Sequence, residues 1–115
     1  MILAVLAVAG ALVHPQPSAY GRVLFDNRGY VLYSFTRDPR GRSVCTGRCA
    51  AAWPPYIVSR KPSAAKLGTT RRADGRMQLT YKGRPLYYYV GDRQPGQILC
   101  NDVDEFGGTW LVVHP

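Results

Sequence analysis

The chain has 115 residues, enough for one domain of ordinary size, and its hydrophobic content of 46% excludes a largely disordered polypeptide. Fifteen Lys and Arg residues against seven Asp and Glu residues give a formal net charge of +8, which permits attraction to nucleic acid, anionic lipid or acidic envelope polymers. The basic residues are scattered, without an uninterrupted run of five, so the sequence favours a solvated basic surface over a nucleic-acid interface.

The first thirteen residues, MILAVLAVAGALV, are apolar and rich in Ala. The run is shorter than the about 20 residues that a bilayer-spanning helix needs, and its length suits the apolar core of a secretory signal. Residues 9–11 (Ala-Gly-Ala) offer a cleavage site, although no Lys or Arg precedes the run. We therefore predict a signal-like leader over residues 1–19 and an exported domain over residues 20–115. The alternative is a buried first element of the domain.

Alternating apolar residues predict a strand over residues 23–25, and residues 26–29 (Asp-Asn-Arg-Gly) have the composition of a tight turn. The aromatic and β-branched residues 30–36 predict the second strand of a hairpin. Because side chains alternate along a strand, the two faces of this strand are predicted to carry different side chains. One face has Val31, Tyr33 and Phe35, and the other has Tyr30, Leu32 and Ser34.

After this hairpin the chain changes character. Residues 38–41 (Asp-Pro-Arg-Gly) match the preferences of a type I turn. The Ala run before Trp53 favours a short helix within residues 45–52, which ends before Pro54 because a proline ring clashes with the preceding helical turn. A short strand is predicted at residues 56–58, and the basic, polar residues 59–74 are predicted to be a connection.

A repeated sequence organises the whole chain. The stretch LYSFTRD at residues 32–38 recurs 54 residues later as LYYYVGD at residues 86–92. With small insertions, Cys100 then aligns with Cys45 and Trp110 with Trp53. Self-similarity of this kind indicates a duplicated unit, and one unit has too few strands to be stable alone. We predict a mainly β single domain with short helices, built from two pseudo-twofold related, hairpin-containing repeats over residues 21–58 and 75–115.

The motif in the two copies is Tyr33-x-Phe35-x-x-Asp38 and Tyr87-x-Tyr89-x-x-Asp92. On these residues, with the prolines after Trp53 and the Gly-Gly-x-Trp110 segment, the chain resembles the bacterial secreted-repeat family of predicted lipoproteins with a Yx(F/W/Y)xxD motif. The resemblance implies an exported or membrane-anchored domain of unestablished activity. The chain departs from the pattern in two respects, since the apolar leader contains no Cys for a lipid anchor and the second copy carries Cys100.

The three cysteines are the sharpest chemical feature. In an exported domain, Cys45 and Cys49 are first candidates for a disulfide. Side chains four positions apart on an ideal helix are too distant to form a disulfide bond, so Cys45 should precede the helix if the two are bridged. A bridge from Cys100 to either of them is the alternative. A third hypothesis gives Cys45, Cys49 and Cys100 a redox role or the role of soft ligands for copper or zinc.

The aromatic and acidic motif residues have two interpretations each. Tyr33, Phe35, Tyr87 and Tyr89 form a core between the hairpins, or line a cleft for a flat or cyclic ligand such as a porphyrin, quinone or sugar. Asp38 and Asp92 form turns, or act as an acid–base pair. With histidines only at positions 14 and 114, no Ser-His-Asp set can be drawn, so the sequence disfavours an enzyme.

Two functional hypotheses follow. The first is a non-enzymatic exported module of the bacterial envelope, periplasmic or extracellular, that binds an envelope component or a small ligand without a resident cofactor. The second is a small extracytoplasmic redox or metal protein that uses Cys45, Cys49 and Cys100, with a metal or haem-like cofactor.

Overall fold

The computed structural model describes residues 11–115, which contain nine strands and one short helix. In chain order they are β1 (Val13–Gln16), β2 (Val23–Asp26), β3 (Tyr33–Phe35), α1 (Arg48–Ala52), β4 (Ile57–Val58), β5 (Leu67–Arg71), β6 (Met77–Tyr81), β7 (Arg84–Pro85), β8 (Val103–Glu105) and β9 (Gly108–Val112). No helix among residues 11–115 is long and apolar enough to cross a membrane.

The strands form three small antiparallel sheets. In the first, β1 pairs with β2; in the second, β9 lies between β3 and β8; in the third, β6 lies between β4 and β5 and also pairs with β7. The tight turns after β2 and β6 require positive φ angles at Gly29 (93°) and Gly83 (83°). A residue with a Cβ adopts such angles only at an energetic cost. The predicted mainly β single domain is confirmed.

The two repeats exchange their last strands. The Tyr56 amide donates to the Leu86 carbonyl, and the Leu79 amide donates to the Tyr56 carbonyl, so the end of the first repeat joins the hairpin of the second. In the equivalent arrangement, the Leu24 amide donates to the Val113 carbonyl, and the Val113 amide donates to the Leu32 carbonyl. The end of the second repeat therefore joins the hairpin of the first. Neither repeat therefore completes its own sheet.

The exchange creates two hydrophobic clusters on opposite faces of the hairpins. One contains Val31, Tyr33 and Phe35 together with the disulfide and both tryptophans. The other contains Leu32 with Leu24, Leu79 and Leu86. The predicted alternation of faces along β3 is thus observed, and both repeats contribute to both clusters.

The structure differs from the predicted elements in three places. Val13–Gln16 lies within the predicted leader and yet pairs with β2, while residues 1–10 of that leader lie outside the described residues. Leu67–Arg71 lies in the predicted connection and pairs with β6, as β1 pairs with β2, so the second repeat begins before residue 75. After the turn, β3 separates from β2 and pairs with β9, because the repeats exchange strands.

Candidate functional site

The aromatic motif residues stack across the boundary between the repeats. Trp53 and Trp110 lie face to face at the centre, with ring centroids 4.1 Å apart. Phe35 of the first repeat stacks on Trp110 of the second at 4.1 Å, and Tyr89 of the second repeat packs on Trp53 of the first at 4.8 Å. Both tryptophans are fully buried. The rings therefore form a column of four, of which Tyr89 is the half-buried end.

The tyrosine and aspartate of each motif bind the other copy. The Tyr33 hydroxyl donates to Asp92 Oδ2 over 2.7 Å, and the Tyr87 hydroxyl donates to Asp38 Oδ2 over 2.6 Å. The two tyrosine backbones also exchange hydrogen bonds, Tyr33 N to Tyr87 O at 2.8 Å and Tyr87 N to Tyr33 O at 2.9 Å. The motif recurs because each copy completes the other.

The second oxygen of each carboxylate holds a loop. Asp38 Oδ1 accepts from the Val44 amide over 2.8 Å, and Asp92 Oδ1 accepts from the Leu99 amide over 2.9 Å. Each carboxylate therefore fixes the chain that follows its own motif while it binds the partner tyrosine. All four carboxylate oxygens therefore accept hydrogen bonds from within the protein.

Burial controls the ionisation of these groups. It is the largest influence on Asp38 and Asp92 and raises the pKa of both above the ordinary 3.8, although the tyrosine and amide hydrogen bonds act in the opposite direction. Burial and the neighbouring carboxylates also raise the pKa of Tyr33 and Tyr87. The tyrosines are therefore neutral donors at physiological pH.

These shifts predict a pH dependence of stability. Because the pKa values of Asp38 and Asp92 are higher in the folded than in the unfolded state, folding favours their protonated forms, and their contribution to stability is lost as pH rises through the folded pKa values. We expect the free energy of unfolding of the Asp38→Asn and Asp92→Asn variants to improve relative to the wild type as the pH rises above the unfolded pKa of about 4. Urea unfolding at a series of pH values measures this.

Asp74 provides the control for this experiment. It is exposed, and amide and side-chain hydrogen bonds from Arg76 lower its pKa, so its contribution is present above the unfolded pKa and is lost as pH falls. The free energy of unfolding of Asp74→Asn should therefore fall relative to the wild type as pH rises, which is the opposite of the change expected for Asp38→Asn and Asp92→Asn. A profile of Asp92→Asn parallel to that of the wild type would contradict the assignment.

The structure confirms the predicted Cys45–Cys49 disulfide, with a Cα–Cα distance of 5.2 Å. Cys45 precedes α1, as the geometric argument requires. In the chain-entropy account, closing a loop with a sequence separation of 4 adds about 2 kcal/mol to the free energy of unfolding. The alternative bridge from Cys100 is not formed, and Cys100 is a half-buried free thiol.

Cys100 lies beside the open end of the aromatic column. Its interaction with the Tyr89 hydroxyl is the main cause of a raised Tyr89 pKa. Within residues 11–115, no group of three or more His, Cys, Asp or Glu side chains is placed to hold a metal ion. The hypothesis of a three-cysteine metal site therefore requires the disulfide to be reduced first.

A buried cation, Arg72, supports the loop before the disulfide, and no motif or spacing in the sequence indicates it. Its Nη1 donates to Ser43 Oγ (3.0 Å) and Gln78 Oε1 (2.8 Å), and its Nη2 donates to the Cys45 carbonyl (2.6 Å). Ser43 Oγ in turn contacts the Tyr87 hydroxyl at 2.7 Å. The network connects the disulfide loop to the motif of the second repeat.

Two clefts reach this region. A cleft of about 480 Å³ borders the disulfide at Cys49 and lies between Arg37 and Arg48, with Phe35 and Phe106 in its wall. A smaller cleft of about 180 Å³ lies between Arg40 and Arg84. The first has the volume of a small-molecule site, and the second is below that range.

The fold and the motif together define a class of protein, a duplicated, disulfide-stabilised β domain whose repeats exchange strands and motif partners. A family described as a secreted repeat of unknown function matches residues 17–56 and 68–114, and the chain belongs to this family. The resemblance inferred from the motif is confirmed, and the second match begins at β5, as the structure indicates. Comparisons with curated proteins and with solved structures find no match.

Proposed function

We propose that the protein is a non-enzymatic module of the bacterial cell envelope, exported to the periplasm or the outside of the cell, which acts by binding a partner or a small ligand. The family, described as a secreted repeat, supports export. The disulfide is typical of oxidising compartments.

One observation carries the proposal of a binding rather than a catalytic role. The groups that could perform acid–base chemistry, Asp38 and Asp92, have all four oxygens engaged in hydrogen bonds that hold the repeats and their loops together. A catalytic base must reach a proton on its substrate, and these carboxylates face tyrosines. The exposed loops and their cationic side chains remain available to a partner.

A second candidate is a redox function, favoured by the cleft of about 480 Å³ at the disulfide. Cys49 forms part of its wall between two arginines, and the free thiol of Cys100 packs against the same hydrophobic cluster as the disulfide. In this alternative the cysteines exchange electrons with a small molecule or a partner thiol, and the tyrosines act as a relay.

Purification of the full chain from a bacterial host separates the two candidates. We expect recovery in the exported fraction, one thiol per chain in denaturant, no stoichiometric metal, and saturable binding to washed envelopes that the Cys100→Ser variant retains. Recovery in the cytoplasm would contradict export. Three thiols with bound copper or zinc, or binding lost in Cys100→Ser, would overturn the binding module in favour of the redox or metal protein.

A further inference from the structure

We propose that the cleft between Arg40 and Arg84 binds the phosphate group of an anionic phospholipid, and that the cationic face around this cleft docks the protein on a membrane surface. This inference rests on the proposed function, because it names the partner of the envelope module. The basic residues that form the face come from three separate segments of the sequence, and the fold brings these segments together.

Hydrogen bonds to the backbone assemble the face from three segments. The Gly41 amide donates to the Gly83 carbonyl over 2.7 Å, which fixes the loop after the first motif on the turn between β6 and β7. Thr70 Oγ1 donates to the Gly41 carbonyl over 2.8 Å, and the Lys82 amide donates to the Lys66 carbonyl over 2.7 Å. Apart from Arg71, whose guanidinium group donates to the Gly75 carbonyl, five exposed cationic residues lie in these segments: Arg40, Arg42, Lys66, Lys82 and Arg84.

Gly83 holds the Arg40 side chain in position. A Cβ at Gly83 would lie 2.8 Å from Arg40 Cγ and 3.0 Å from its Nε, so the guanidinium group crosses the turn where only glycine leaves room. Arg84 follows directly and lines the same cleft. Two arginines thus line one small cleft, and guanidinium groups pair with phosphate through two parallel hydrogen bonds.

The charges around the cleft are largely uncompensated. Within residues 11–115 the ion pairs are Arg28–Asp26 and Arg76–Asp74, and neither lies on this face. Asp38 is the one acidic residue in the wall of the cleft, and both its oxygens accept hydrogen bonds, from Val44 and Tyr87. The cationic side chains therefore outnumber the carboxylate that faces the same space.

The size of the cleft selects the ligand. Its volume of about 180 Å³ holds about six waters at the about 30 Å³ that each occupies in the liquid, which is room for a phosphate group with part of its hydration. Among the described residues the exposed large aromatic side chain is Tyr20, on the loop between β1 and β2, so this face lacks a platform on which a nucleic-acid base could stack. A lipid headgroup fits both observations.

Sedimentation of the full chain with vesicles tests the inference. We expect binding to vesicles of phosphatidylglycerol and phosphatidylcholine, and none to phosphatidylcholine alone. Since each cation near such a surface contributes about fivefold in affinity, Arg40→Ala/Arg84→Ala should weaken binding about 25-fold. The control Arg22→Ala/Arg93→Ala removes the same charge from exposed positions outside the face, and should weaken binding less than about fivefold. Circular dichroism verifies that both double variants are folded.

Two further arms identify the ligand. Glycerol phosphate should displace the protein from the vesicles more effectively than sodium chloride of equal ionic strength, and failure to do so would overturn the phosphate cleft. Equal losses in the two double variants, or tighter binding to a single-stranded oligonucleotide than to the vesicles, would overturn the inference.

If vesicle binding fails while saturable binding to washed envelopes persists, the membrane inference is wrong and the binding module stands. Loss of both contradicts the binding module as well.

Discussion

Trp110→Ala is expected to lower the free energy of unfolding by about 3–5 kcal/mol, the range for removal of a fully buried aromatic side chain. Trp110 is fully buried, stacks on Trp53 and Phe35, meets the edge of Tyr87 at 5.0 Å, and donates from Nε1 to the Glu105 carbonyl. Its loss opens a cavity at the boundary where both repeats meet. Because the column of rings belongs to both repeats, we expect the two repeats of the wild type to unfold in one transition. Urea unfolding followed by circular dichroism measures the effect.

Two variants control this measurement. Trp110→Phe keeps an aromatic ring in the column and should cost less than the alanine variant. Tyr20→Ala removes an aromatic ring that is 45% exposed, and should change stability by less than about 0.5 kcal/mol. If the wild type unfolds in two separate transitions, or if Trp110→Ala costs no more than Tyr20→Ala, the shared column does not hold the repeats together.

The second large effect is expected for the motif aspartates. Asp92→Ala leaves the buried Tyr33 hydroxyl without its acceptor and releases the Leu99 amide, and we expect a loss of about 2 kcal/mol. Asp38→Ala removes one partner of the Tyr87 hydroxyl and releases the Val44 amide, but Ser43 Oγ stays within 2.7 Å of the hydroxyl, so we expect a smaller loss of about 1 kcal/mol. Thermal and urea unfolding of the two variants measure both losses.

The order of the two losses is itself a test. The exchange is reciprocal, with tyrosine–aspartate distances of 2.7 Å and 2.6 Å, but the Tyr87 hydroxyl has a second side-chain partner, Ser43 Oγ, so Asp92→Ala should cost more than Asp38→Ala. A variant with unchanged stability and lost binding to washed envelopes would show that the aspartate belongs to a binding site instead.

Much of the fold could be predicted from periodicity. The offset of 54 residues revealed the duplication, and the alternation along residues 30–36 assigned Tyr33 and Leu32 to opposite faces, because side chains on a strand alternate. The spacing of Cys45 and Cys49 placed Cys45 before the helix, because a helix holds such side chains too far apart to bridge.

The missed strands lacked the usual pattern. β5 has the sequence Leu-Gly-Thr-Thr-Arg, with one large apolar residue, and it forms because the exposed edge of β6 offers backbone partners. β1 contains Pro15 at the edge of its sheet and follows an apolar run that resembles a leader. In both cases hydrogen bonding to a neighbouring strand determines the structure, and hydrophobic alternation does not reveal it.

The exchange between repeats was also beyond the reach of the sequence. Identical Tyr and Asp positions in both copies were a signal that the pair matters, but repetition alone does not reveal which copy a hydroxyl contacts. The cationic face has the same origin, since Arg40 and Arg84 lie far apart in the chain and line one cleft because the loop after the first motif is hydrogen-bonded to the turn between β6 and β7.

A double-mutant cycle tests most directly whether the motif joins the two repeats. Tyr33→Phe and Asp92→Ala, made singly and together, should show a coupling energy of about 1 kcal/mol or more, because the side chains are hydrogen-bonded across the repeats. Tyr33→Phe and Asp38→Ala belong to the same motif copy and should add within about 0.5 kcal/mol. A stronger coupling of Tyr33 to Asp38 than to Asp92 would contradict the exchange.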